Sequence, residues 1–244
     1  ASHKPYWMPS DPLYTPLQVG AQGRESLGWR RDDEGEHISP KNESFCELTA
    51  LYWLWKNVDA DAYGLMHYRR YLGAGFPLRP RQRQILTREQ AARLMAGTDI
   101  LLPKKRHYWI ETNESHYVHA HHAEDLAQAR ASLAALCPAY LPAWDRVMRR
   151  RSGHRFNLFI MRRERFQAYC EWLFAVLFNV EENLDISDYS AQDRRVFGYL
   201  SERLLDVWLE YNRCSYREAR VVHLEPQRWG RKIARFLQRK FRRQ

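Results

Sequence analysis

An α/β fold built on a largely parallel sheet is what the 244-residue sequence predicts, on three observations. Apolar runs of strand length alternate with longer segments of helical periodicity, the pattern of strand-helix-strand units. Two of those runs empty into clustered cations, as strands do where an open sheet meets its ligand. No internal repeat divides the chain. The length suits one domain with a tail, read as 1–225 followed by 226–244.

The elements follow in order. Ser44 and Glu47 have capping-box spacing, and Leu48, Leu51, Tyr52, Trp55 and Val58 recur on one face, predicting a helix over about 44–57. Tyr63 to Tyr71 (YGLMHYRRY) reads as a strand running into His67, Arg69 and Arg70. A Gly-, Pro- and Arg-rich loop, 73–84, leads to a short helix that Thr87 and Gln90 can cap. Thr98 to Leu102 is a second apolar strand, closed by Pro103 and the cations Lys104, Lys105 and Arg106. Residues 110–122 read as a long loop or lid before helices over about 122–136 and 138–150. Arg155 to Met161 (RFNLFIM) is a third strand. Helices over about 164–183 and 191–210 precede a closing strand, 219–223.

Composition bounds the function classes. Hydrophobic residues make up 45% and aromatics 14%, so the chain folds. The four cysteines are scattered without a C-x-x-C pair, which argues against a zinc ribbon or a thioredoxin-like motif and reads as reduced cytosolic thiols. No apolar stretch spans a bilayer, and no signal peptide opens the chain. It begins Ala1-Ser2-His3-Lys4, which leaves open an upstream strand. Of the net charge of +10, residues 228–244 carry eight Lys or Arg and no acid, leaving about +2 for everything before. In that tail Trp229, Ile233, Phe236, Leu237 and Phe241 recur at helical spacing opposite the cations, as in a helix lying on an anionic membrane surface. A nucleic-acid arm needs no such apolar stripe, so no nucleic-acid partner is expected; a helix docked on the domain's own core would leave the cations exposed.

The chemistry-bearing residues are mostly basic. Arginine forks donate paired hydrogen bonds to phosphate oxygens and stay charged at any working pH, so His67, Arg69 and Arg70 at a strand end point to an anion. The competing reading is an edge strand with a solvated basic end. P-loop, dinucleotide-fold and hydrolase-elbow glycine motifs are missing from the sequence. Cations occupy the strand end where a metal-binding carboxylate would sit, so no obligatory divalent metal is expected, although one remains compatible with the sequence. His116, His119, His121 and His122 form a dense cluster followed by Glu124 and Asp125. Its spacing matches no zinc motif, leaving a metal-dependent hydrolase as the lesser alternative. The two acids either offset a helix dipole or supply a general base.

Several segments together resemble a bacterial capsular and exopolysaccharide biosynthesis family, long catalogued as a domain of unknown function and linked to glycosyltransferases. They are 1–4, 38–57 (ISPKNESFCELTALYWLWKN), 64–71, 99–105, 115–126, 156–174 and 189–209. The resemblance implies a GT-A-like nucleotide-sugar-binding fold, and some relatives are described as galactofuranosyltransferases of O-antigen assembly. It places Ser2, His3 and Lys4 near the nucleotide and His67, Arg69 and Arg70 near the sugar diphosphate, with Lys104 and Arg195 also on the donor side. It makes Asp125, with Glu124, the base of an inverting transfer. His121, His122, Asn157 and Gln192 fall on the sugar or acceptor side. The one D-x-D spacing, Asp59-Ala60-Asp61, precedes its strand rather than ending it. The implied enzyme moves a hexose from a UDP-sugar to a lipid-linked glycan of surface polysaccharide, peripherally at the inner face of the plasma membrane. A non-catalytic glycan- or membrane-binding scaffold is the alternative.

Overall fold

A computed structural model describes residues 1–74, 76 and 78–225. The basic amphipathic helix expected in 226–244 lies outside the described residues. In chain order the elements are β1 (Leu17–Gln18), β2 (Arg30–Arg31), α1 (Asn42–Phe45), α2 (Leu48–Asn57), β3 (Ala62–Leu65), β4 (Arg70–Gly73), α3 (Arg88–Met95), β5 (Ile100–Pro103), β6 (Arg106–His107), α4 (Asn113–Val118), α5 (Ala123–Leu136), α6 (Leu141–Arg149), β7 (Ser152–Gly153), β8 (Phe159–Arg162), α7 (Arg163–Asn183), α8 (Val196–Tyr211) and β9 (Arg217–His223).

The main sheet has five strands in the order β3-β8-β5-β9-β4. It is mixed rather than largely parallel: β8 is antiparallel to both β3 and β5, β4 is antiparallel to β9, and β5–β9 is the parallel pair. Apolar runs show that strands exist, but not which strands become neighbours, and the expected direction followed from alternation alone. Parallel pairing does occur on the other side of β3. Ser2 N–H donates to the Leu17 carbonyl (3.0 Å), Val19 N–H to that of Ser2 (2.9 Å) and Tyr68 N–H to that of Ala1 (3.2 Å). Residues 1–2 thereby join the β1–β2 pair to the segment that follows β3.

The YGLMHYRRY run is two strands, not one. Leu65 ends β3 and Arg70 begins β4, with a turn closed by Arg70 N–H donating to the His67 carbonyl (2.8 Å). Those strands lie at opposite ends of the five-strand order. In a flat sheet four spacings would separate them by roughly 19 Å, farther than so short a turning link can span. The sheet therefore curls, and the turn 66–69 closes its edge.

Strand alternation divides the core. Tyr63, Leu65, Ile100, Leu102, Phe159 and Met161 face the helical layer of α2, α5, α6, α7 and α8, whereas Leu101 and Ile160 face β4, β9 and α3. Local signals worked where a side chain was free to cap: Thr87 and Gln90 form the capping box of α3. The same spacing at Ser44 and Glu47 does not. Cys46, at φ 53°, separates α1 from α2, and Ser44 Oγ donates instead to the Lys41 carbonyl (3.2 Å). The expected lid also contains a helix, α4, with its own capping box from Thr112 and Ser115.

Phe166, fully buried on α7, stacks on Tyr63 at 4.0 Å between ring centroids and ties the helical layer to β3. Phe166→Ala should cost about 3–5 kcal/mol, lowering Tm by roughly 6–20 °C for a chain of this size. A change within the error of a thermal melt would show that this contact does not anchor the layer.

Candidate functional site

The carboxyl ends of β3, β5 and β9, the start of β8 and the turn 66–69 meet along one edge of the sheet. There a cleft opens in two lobes. The first, about 260 Å3, is lined by Ser2, His3, Arg24, Asn42 and Tyr68 among others. The second, about 250 Å3, reaches Arg70, Arg106, Tyr108, His116, Arg155, Tyr199, Glu202 and Arg203. Cys46, Glu47, His67, Arg69 and Arg195 line both and mark the junction. A separate cavity of about 270 Å3, behind β3 and lined largely by apolar residues such as Leu13, Trp53 and Tyr71, holds none of these charged groups.

Each cation at or beside the junction is held differently. Arg69 pairs with Glu225 (3.3 Å) and lies over the Tyr68 ring, while its Nε is buried without a partner among the described residues. Arg70 lies over the Phe156 ring, 4.6 Å from its centroid, and no described carboxylate comes within ion-pair distance. Burial, then the neighbouring Arg69, pulls its pKa below the ordinary guanidinium value, as expected where negative charge is scarce. Arg195 Nε donates to Cys46 Sγ (3.2 Å). Burial pushes the Cys46 thiol up to about 11, so it faces Arg195 uncharged. His67 is driven down to about 2 by burial, then by Arg70 and Arg69. It is a neutral ring whose Nδ1 accepts from Arg69 N–H at 3.4 Å.

Two carboxylates, Glu47 and Glu202, face these cations, and the sequence reading assigned neither to the site. Asn157 Nδ2 donates to Glu47 Oε1 (2.9 Å), and Phe156 N–H donates to Glu202 Oε1 (2.9 Å). Phe156 (φ 79°) and Asn157 (φ 51°) are consecutive left-handed residues, a conformation that costs non-glycine residues energy and gathers at functional sites. Burial raises the Glu47 carboxyl above its usual range, opposed by its hydrogen bonds. Arg203 donates to Glu202 Oε2 (3.3 Å) and to the Tyr199 carbonyl (3.0 Å). Arg155 is locked by bonds to the Tyr108 hydroxyl, the Asn113 side chain and the His154 carbonyl.

The other residues singled out in the sequence divide. Ser2 is buried and donates to the Lys4 carbonyl (2.7 Å), shaping the turn that presents His3. His3 lines the first lobe; its pKa is lowered by burial and then by Lys4, Arg24, Arg69 and Arg195. Lys4 Nζ lies 5.5 Å from the Tyr68 ring centroid. Lys104 is exposed, fixed through its N–H to the Ala219 carbonyl (2.8 Å). His121 lines the second lobe, stacked on Tyr199. His122 stacks on Tyr189, and Gln192 bonds the Tyr199 hydroxyl, both outside the cleft lining. Asn157 faces Glu47, Ser201 and the Gly198 carbonyl.

The acidic pair departs most from expectation. Asp125 is buried on α5 with both oxygens taken by hydroxyls, of Tyr117 and Tyr189, at 2.7 Å each. Glu124 is exposed beside it, and neither lines the cleft. The histidine cluster splits, with His122, at 3.7 Å, sharing the Asp193 carboxylate that His121 approaches. His116 lies against Tyr108 and His119 pairs with Glu111, while His121 approaches Asp193. Among the described residues no group of three or more His, Cys, Asp or Glu could hold a metal ion. Asp59 and Asp61 pair with Arg163 at the opposite end of β3. Glu202, Arg203 and Arg155 were missed; the available signal was polar residues inside the apolar pattern of α8 and just before β8.

His116, like His67, stays neutral: burial, then Arg203 and Arg106, lower it to about 3. The unfolded chain binds those protons near pH 6.5 and the fold does not, so stability falls as pH drops below about 6.5. Tm should decrease between pH 7 and 5, and His67→Gln with His116→Gln should flatten that slope. An unchanged slope in the double variant would contradict the neutral-ring assignment.

No curated protein matches the chain. The apo structure of WbbM, a bifunctional glycosyltransferase, is similar at TM-score 0.85 and 32% identity over 92% of this chain and 44% of that one. The chain therefore spans under half the length of that protein. Residues 1–213 match the family described as domain of unknown function DUF4422, and with most of its length matched, the chain belongs to that family.

Proposed function

We propose that the chain is a metal-independent, GT-A-like glycosyltransferase that moves a hexose, such as galactofuranose, from a UDP-sugar to a hydroxyl of a lipid-linked surface glycan. The observation that carries this reading is the junction of the two lobes, where Arg69 and Arg195 line the cleft with a carboxylate, Glu47, of raised pKa, and Arg70 lines the adjoining second lobe. Likeness to a bifunctional glycosyltransferase supports the same class. The lobe beside residues 1–3 and the turn 66–69 takes the nucleotide and its diphosphate. The lobe toward Tyr108 and Tyr199 takes the sugars.

Glu47 is the general base. The acceptor oxygen attacks the anomeric carbon as the bond from that carbon to the diphosphate oxygen breaks. The acceptor proton passes to a Glu47 oxygen, and the bonding pair leaves with UDP. Attack from the face opposite the leaving group inverts the anomeric centre. Arg69, Arg70 and Arg195 offset the charge that grows on the diphosphate, and neutral His67 donates or accepts without adding charge. Asn157 holds the base in place, and Glu202, fixed by Phe156 N–H and Arg203, is the second carboxylate facing the reacting centre. A base with a raised pKa lies nearer neutral pH, where proton transfer is most effective.

Glu47→Gln should lower kcat by about 10²–10⁴-fold while calorimetric UDP affinity changes little. Arg195→Met should weaken UDP binding. Full turnover in Glu47→Gln would remove the base assignment, and undiminished UDP binding in Arg195→Met would remove the diphosphate assignment. Asp125→Asn is a control that should act through stability, with kcat retained in the folded fraction.

A further inference from the structure

Among the described residues, exposed large apolar side chains are not scattered evenly over the protein. Of its exposed large hydrophobic residues, Trp109 (88%) and Ile110 (68%) sit on one loop and Phe76 (62%) and Leu78 (87%) on another. Each loop is also cationic: exposed Lys104 and Arg106 precede the first pair, and exposed Arg79, Arg81 and Arg83 follow the second. Trp109 is held in strained backbone, φ 21°, with its ring in solvent although Tyr108 beside it is buried in the cleft wall.

Both loops are tied to residues that line the cleft. Arg106 and Tyr108, at the root of the first loop, line the second lobe. Arg81 of the other donates to the Leu224 carbonyl (3.2 Å), and Leu224 N–H donates to the carbonyl of Arg69 at the junction (3.0 Å). The next residue, Glu225, accepts from the Tyr6 hydroxyl (3.5 Å), and Tyr6 precedes the exposed Trp7. The sequence then continues into the eight cations of 228–244.

We propose that these two loops dock the cleft mouth on an anionic lipid bilayer, with Trp109, Ile110, Phe76 and Leu78 entering the interface and the flanking cations contacting headgroups. Paired apolar tips with Lys and Arg beside them suit that boundary. The proposal deepens the glycosyltransferase reading and rests on it for the acceptor: docking here would present the cleft to a glycan still attached to its lipid. It is separate from the tail, since it concerns different residues.

The test is vesicle co-sedimentation of the full chain on phosphatidylcholine with and without phosphatidylglycerol, comparing Trp109→Ser/Ile110→Ser, Phe76→Ser/Leu78→Ser and all four together. These side chains are exposed, so melting temperature and UDP affinity should stay at parental values. Each pair should weaken partitioning to phosphatidylglycerol vesicles by about tenfold, and the combination by more, while turnover on a water-soluble acceptor analogue is unchanged. Parental partitioning by the four-residue variant would overturn the proposal. So would a loss of turnover on the soluble analogue from Trp109→Ser with partitioning intact, because Trp109 would then be stacking on sugar. If the parent chain partitions in this loop-dependent way yet binds no UDP, the docking stands and the enzymatic reading fails.

Discussion

The link between β3 and β4 is too short for a flat sheet, and the site depends on that constraint. Because Leu65 and Arg70 belong to strands at opposite ends of the order, the sheet must curl until a single turn joins them. The turn so placed carries His67 and Arg69 and opens into Arg70, at the edge where the other strands end or begin. A longer link would let the sheet open and let these side chains turn to water. Packing energy from the helical layer, through stacked pairs such as Tyr63 with Phe166, thus holds like charges closer than they would choose.

That like-charge crowding is only partly relieved inside the protein. Arg155 and Arg203 are bound to neighbouring groups, and Arg69 has Glu225, whereas Arg70 has an aromatic face. Burial among these guanidiniums keeps His67 and His116 neutral and lowers the pKa of Arg70 itself. Such a cleft is preorganised for an anion: its dipoles and charges are in position before the ligand arrives. The left-handed Phe156-Asn157 step performs a matching task for the carboxylates, with one backbone N–H on Glu202 and one amide on Glu47. Strain at that step is stored where the chemistry is proposed to occur.

Much of this was legible in the sequence, and the failures have physical causes. Helix periodicity and side-chain caps are local, so α3, α5, α6, α7 and α8 were readable within a few residues. Strand direction is not local, and the mixed sheet was missed because β8 and β4 pair with strands far away in sequence. The H-Y-R-R run pointed to residues that do line the cleft, because cations clustered after an apolar run are a local signal. Glu47 was hidden by its spacing, which reads as a helix cap, while its carboxylate actually bonds Asn157 more than a hundred residues later. Asp125 misled for the opposite reason: an acid in a helix's first turn near histidines looks available, but two tyrosine hydroxyls close over it.

The most direct measurement is a crystal structure of the protein with UDP bound. The account places the two phosphates at the junction of the lobes, within hydrogen-bond distance of Arg195 and of Arg69 or Arg70, with Glu47 open toward the sugar side. Phosphates bound elsewhere, with those guanidiniums still turned to solvent or to their aromatic neighbours, would contradict it.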